Sequence, residues 1–136
     1  MNKEHPILTT PPPNMETLSS KFGVDFDKGL IVTYYPNIHV KHGQLPGDLL
    51  AHESTHLIQQ EKFEGGVKAW WDKYLSDPQF RLTEESTAYA VQVKFIRDHM
   101  VGRSQRRAHF KHIVDSFVRM YGGIVTREQA KAILNI

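Results

Sequence analysis

His52-Glu53-Ser54-Thr55-His56 stands in the middle of a stretch, Pro46 to Phe63, that reads as a single helix. Pro46 suits a first helical turn, Asp48 favours the positive end of the helix dipole, and Gly65-Gly66 supplies the stop. On a helix, His52 and His56 lie one turn apart on one face, where both imidazoles can reach one Zn²⁺ at about 2.0–2.1 Å. Glu53 is too close to His52 in sequence to bind the same ion easily. It can reach a water on that ion, and a carboxylate so placed acts as the general base of metal-assisted peptide hydrolysis.

Two strands precede this helix. Gly29 to Tyr35 is rich in β-branched and aromatic residues, and Ile38 to His42 alternates apolar with polar ones. Asp27-Lys28-Gly29 and Pro36-Asn37 supply the turns, so a small antiparallel sheet is expected. Helices follow it. A short one carries Trp70, Trp71, Tyr74 and Leu75, read as core or cleft wall, and ends at Asp77-Pro78. A longer one runs from about Leu82-Thr83 to Val101. Another, over 104–121, has Phe110, Ile113, Val114, Phe117, Val118 and Tyr121 at helical spacing. A last one is opened by Thr126-Arg127-Glu128-Gln129, which has the form of a capping box. The fold class is α+β, mostly helical.

A catalytic zinc normally has three protein ligands. The extended pattern H-E-x-x-H-x-x-G-x-x-H is absent, because position 59 is Gln and position 62 is Lys, which excludes a metzincin. The third ligand is then a carboxylate from a later helix, Glu84 or Glu85. Helical phase favours Glu85, which shares a stripe with Gln92, Ile96 and His99, with Ala88 and Phe95 beside it. Whichever glutamate is not a ligand serves the positive end of the helix dipole.

His52 to His56, followed by a glutamate in Glu85-x-x-Ala88-Tyr89, resembles the gluzincin clan of zinc metallopeptidases. Residues 52–60, His-Glu-Ser-Thr-His-Leu-Ile-Gln-Gln, are similar to the H-E-x-T-H-x-x-Q-Q stretch of small bacterial and phage members. The likeness spans about residues 30–100. It implies a zincin-like core, zinc held by His52, His56 and Glu85, and a peptide or protein substrate. It also implies an upstream edge strand, here Ile38 to His42, that pairs with the substrate backbone. In compact members a chain end can lie in the cleft, a part open here to the Pro-rich N-terminus or to residues 124–136. A clear second lobe is missing, which leaves the oxyanion stabiliser open among Tyr89, His99, His109, His112 and Tyr121. Tyr89 and His99 are preferred because they share the ligand helix. His39 and His42 are expected to be exposed strand residues.

Composition sets the outer bounds. The chain has 136 residues, which is one domain's worth, and at this size about 68% of the unfolded surface can be buried. It contains no cysteine, which excludes a disulfide framework, a thiolate-ligated metal and a thiol nucleophile. With eight histidines present, any metal site must be built from nitrogen and oxygen ligands. Residues 1–21, with Pro11-Pro12-Pro13, are expected to be a flexible tail and residues 22–136 a single domain. No apolar run reaches the ~20 residues of a membrane span and no signal peptide is evident, so no membrane association and a cytoplasmic location are expected.

The net charge is only +2, yet residues 94–119 hold seven cations (Lys94, Arg97, Arg103, Arg106, Arg107, Lys111 and Arg119) against Asp98 and Asp115. No nucleic-acid-binding motif accompanies them, so a solvated helix exterior is the favoured reading and nucleic acid is not an expected partner. The competing reading of the whole chain is a catalytically inactive binding or assembly protein that uses these basic helices to meet nucleic acid or an acidic partner.

Overall fold

Asp77 does two jobs where the chain turns from one helix into the next. Its carboxylate accepts hydrogen bonds from the amides of Gln79 (3.0 Å) and Phe80 (3.2 Å), and Pro78 occupies the first helical position behind it. The long helix therefore starts at Pro78, four residues before the expected Leu82, because Asp77-Pro78 is a start signal as well as a stop. The computed structural model describes residues 7–119 and 123–136.

Among the described residues there are six α-helices and a three-stranded sheet, an α+β architecture that is 67% helical. In chain order they are β1 (Ile7–Leu8), α1 (Met15–Phe22), a 3₁₀ turn (Phe26–Lys28), β2 (Val32–Tyr34), β3 (Asn37–His39), α2 (Gly47–Lys62), α3 (Gly66–Ser76), α4 (Pro78–His99), α5 (Arg103–Arg119) and α6 (Arg127–Leu134). Gly65 and Gly66, with φ of +97° and +83°, separate α2 from α3 at the expected stop. Thr126 and Gln129 exchange the reciprocal side-chain to backbone bonds of a capping box at the start of α6.

Two expectations about the first forty residues are corrected. The sheet is mixed: β3 lies in the centre, antiparallel to β2 and parallel to β1. The segment expected to be a tail is structured from Ile7 onward. Ile7 and Leu8 pair with Ile38 and His39, the Leu8 carbonyl accepts from the Val40 amide at 3.0 Å, and Thr10 O lies 2.8 Å from the His39 ring. α1 then carries Leu18, with 0% exposure, into the core. Prolines 11–13 block pairing only over their own length, and the apolar residues on either side are still free to bury.

Two apolar cores flank α2. One joins α1, β2 and α3 through Leu18, Val32, Trp70, Trp71 and Tyr74. The other joins α4, α5 and α6 around Tyr89, Val93, Ile113, Phe117 and Leu134. Between them α2 runs along α4, and Gly47 makes the close approach possible: a Cβ there would come within 2.5 Å of the Phe95 ring. No helix among the described residues is long and apolar enough to cross a membrane.

If the N-terminal segment is part of the core, Leu18→Ala costs about 2–5 kcal/mol of unfolding free energy, as cavity-forming substitutions do. Chemical denaturation monitored by circular dichroism measures it. A loss under about 0.5 kcal/mol, the size of a surface change, would return residues 7–22 to a tail.

Candidate metal centre

The α2–α4 contact brings three electron-pair donors to one point. His52 Nε2 lies 3.1 Å, and His56 Nε2 3.0 Å, from the same Glu85 oxygen, and all three residues are buried. One donor atom from each lies within 4.8 Å of the others. Glu84 does not join them: its carboxylate accepts from the Trp70 indole N–H at 2.8 Å. Helical phase accounts for the difference, since Glu85 shares the face of Gln92 that looks towards α2.

Neighbouring amides fix how the imidazoles present themselves. Gln92 donates from its Nε2 to Asp48 at 2.9 Å, so its carbonyl oxygen faces His52 Nδ1, at 2.9 Å. Gln59 donates to the Glu84 carbonyl at 3.0 Å, and its oxygen faces His56 Nδ1, at 2.8 Å. Both Nδ1 atoms therefore carry a proton and donate it, which leaves Nε2 as the nitrogen turned to Glu85. The other Glu85 oxygen accepts a hydrogen bond from the Tyr74 hydroxyl.

Two neutral imidazole lone pairs facing a carboxylate oxygen repel one another unless positive charge lies between them. Without a metal that charge is a proton. Burial alone would lower His56, but the charge and hydrogen bond of Glu85, helped by Glu53 and Gln59, raise it to about 9. Burial alone would raise Glu85, but the His56 charge and hydrogen bonds from both imidazoles hold it well below the usual carboxylate range. A divalent cation can replace the proton. Tetrahedral zinc ligands sit roughly 3.3 Å apart, and the His–Glu separations of 3.0 and 3.1 Å are close to that spacing. Two imidazoles and one carboxylate, each held from behind by Gln92, Gln59 or Tyr74, fit the donor set of a three-ligand zinc site.

Glu53, on the next position of α2, is also buried and is held in a different way. Thr33 of β2 donates to its Oε1 at 2.9 Å, and its Oε2 lies 3.9 Å from His52 Nε2. One oxygen is fixed and the other faces the cluster. β2 is in turn tied to α2 by the fully buried Gln60, which donates to the Thr33 carbonyl (2.8 Å) and accepts from the Tyr35 amide (2.7 Å). Trp71 adds an indole N–H to the same carbonyl at 3.1 Å.

The cluster opens into a cleft of about 680 Å³, walled by Leu30 to Thr33 on one side and by His112, Ser116 and Arg119 of α5 on another. Tyr89 lines it, its ring edge-on to His52 at 4.3 Å and stacked on Phe117 at 4.6 Å. His99 does not belong to it. It is exposed at the far end of α4, stacked on Phe95, with Nδ1 3.0 Å from the Phe95 carbonyl. It shares the stripe of Glu85 but sits roughly 21 Å further along the axis, which phase alone does not register. His109 is exposed on α5, and Tyr121 lies outside the described residues.

The strand Ile38 to His42 is not an available edge, because β3 is flanked on both sides. His39 is buried against Thr10, contrary to the expected exposure, whereas His42 is exposed. No described residue of 7–21 or 124–136 lines the cleft. Thr33, Tyr74 and Gln92 complete the site in ways the motif does not announce. Gln92 carried a sequence signal in its place on the Glu85 stripe, and Tyr74 was expected as core or cleft wall, but not as a partner of Glu85.

No protein-family model, curated protein or solved structure matches the chain.

Gln60→Leu keeps the volume and removes the hydrogen bonds to the Thr33 carbonyl and from the Tyr35 amide. The expected cost is about 1–3 kcal/mol in denaturation experiments, since the Tyr35 amide loses its partner and the Thr33 carbonyl keeps only Trp71 of the two side-chain donors. A change below about 0.5 kcal/mol would mean that Gln60 does not hold β2 to α2.

Proposed function

We propose that the chain is a zinc-dependent peptidase of gluzincin type, in which His52, His56 and Glu85 hold the metal. The observation that carries the reading is the convergence of those three donors beside a separately held carboxylate, Glu53. A purely structural metal site has no use for that carboxylate.

Zinc bound there supplies a Lewis acid that polarises a peptide carbonyl and makes water acidic. The residues of the chain do the rest. Glu53 takes a proton at Oε2 and passes it to the departing amine, while Thr33 keeps Oε1 fixed. Gln59 and Gln92 hold the imidazoles with Nε2 turned to the cluster, and Tyr74 holds Glu85. The wall formed by Leu30 to Thr33 leads into the outer strand β2, beside which a peptide substrate runs. Across the cleft, His112 and Tyr89 are the candidates for oxyanion support that line it.

Glu53→Gln separates the roles. It is expected to keep one zinc per chain by elemental analysis and to slow hydrolysis of a quenched-fluorescent peptide library about 10²–10⁴-fold, the usual contribution of a general base. Full activity in a zinc-loaded Glu53→Gln protein would overturn the mechanism. Zinc-loaded wild-type protein with no activity on any library member would favour the inactive binding protein.

A further inference from the structure

A second concavity lies away from the metal centre, where the C-terminal end of α4, the first half of α5 and α6 meet. It is a groove of about 660 Å³. Arg103, Arg106, Arg107 and Lys111 line it from α5, and Lys131 from α6. The α5 residues recur every three or four positions, so they form one face of the helix. Residues 99–114 contain no Asp or Glu.

Two features separate this face from an ordinary solvated exterior. The first is that its charges are unmatched. Elsewhere in the chain two helical lysines are paired at i,i+4, Lys68 with Asp72 and Lys94 with Asp98. None of the five groove cations above forms an ion pair with a described residue. Arg127, also on the groove, is paired with Asp115. The second is that Arg103, Arg106 and Arg107 crowd the positive end of the α5 dipole, where cations are disfavoured. Field and side chains together make a concentrated positive potential in a chain of net charge +2.

The lining also holds Phe110, Val114 and Ile136, and the Arg97 guanidinium lies over the Phe110 ring at 5.6 Å. Phe110 is also packed against the core of α4, α5 and α6. Cations spaced along a groove about an arginine seated on an aromatic ring are the elements of a single-strand nucleic-acid site: phosphates meet the cations and a base stacks on the guanidinium plane. An acidic peptide would use the cations but has no need of the ring. A duplex is read by elements that project into its grooves, and a concave surface does not project.

We infer that this groove binds single-stranded nucleic acid through Arg103, Arg106, Arg107, Lys111 and Lys131, with a base stacked on the Arg97 guanidinium that lies over Phe110. The inference is independent of the metal reading. The sequence alone favoured a solvated exterior because Lys131 and the concavity are not visible in residues 94–119.

Fluorescence anisotropy with a labelled oligothymidine tests it. Binding is expected to weaken roughly 50-fold between 50 and 200 mM salt, as contact with about four phosphates requires. Arg106→Glu/Arg107→Glu should weaken it at least 10-fold, while Lys21→Glu/Lys62→Glu, with the same charge change elsewhere, should leave it within twofold. Circular dichroism checks the fold of each variant. If the arginine pair does not fold, the exposed pair Lys111→Gln/Lys131→Gln serves instead and should lower the salt slope by about 1.4. No binding at 50 mM salt, equal weakening by both charge-reversal variants, or equal or tighter binding to polyglutamate or to duplex DNA would each overturn the inference.

Discussion

Burying a carboxylate between two imidazoles is the constraint on which the rest of this structure depends. Glu85 is taken out of water almost entirely, and an ionised carboxylate in that position is costly unless each lone pair is answered. Here both oxygens are answered, one by His52 and His56 and the other by Tyr74. Each partner is itself fixed from behind. Gln92 and Gln59 set the imidazoles, and Asp48 and the Glu84 carbonyl set those amides. The α2–α4 register follows from this network, because a slip of one residue on either helix would turn Glu85 or a histidine away from it. The network sits between the two apolar cores, so packing on both sides holds the register as well.

The helical parts of this arrangement were legible in the sequence because their signals are local. His52 and His56 share a face by spacing alone, Gly65-Gly66 ends α2, and Thr126 with Gln129 caps α6. Phase also favoured Glu85 over Glu84, and the structure places Glu85 with the histidines and Glu84 on Trp70. What was not legible depends on long-range pairing. β1 has two residues, too few for a periodic signal, and its partner lies some thirty positions later. A central β3 was for the same reason taken as an edge. His99 shows a different limit, since angular phase places a residue on a face but not along it. Thr33 and Tyr74 reach the site from separate elements, and although Tyr74 stands out as core or cleft wall, nothing local marks either as a partner of Glu53 or Glu85.

α5 links the two candidate sites. Its later residues, His112, Ser116 and Arg119, wall the metal cleft, while Arg103 to Lys111 line the basic groove. Between these, Ile113, Val114 and Phe117 anchor the helix in the core with α4 and α6. A helix so anchored is a rigid support for both surfaces, and the two can be tested separately because they share no lining residue.

The proposed zinc lies between His52, His56 and Glu85. An anomalous-difference map from crystals grown with equimolar zinc, with data collected on both sides of the zinc absorption edge, addresses it directly. A single strong peak is expected within about 2.0–2.2 Å of both Nε2 atoms and a Glu85 oxygen, with Glu53 near but not bound. An empty cluster, or a zinc held elsewhere or by Glu84, would contradict it.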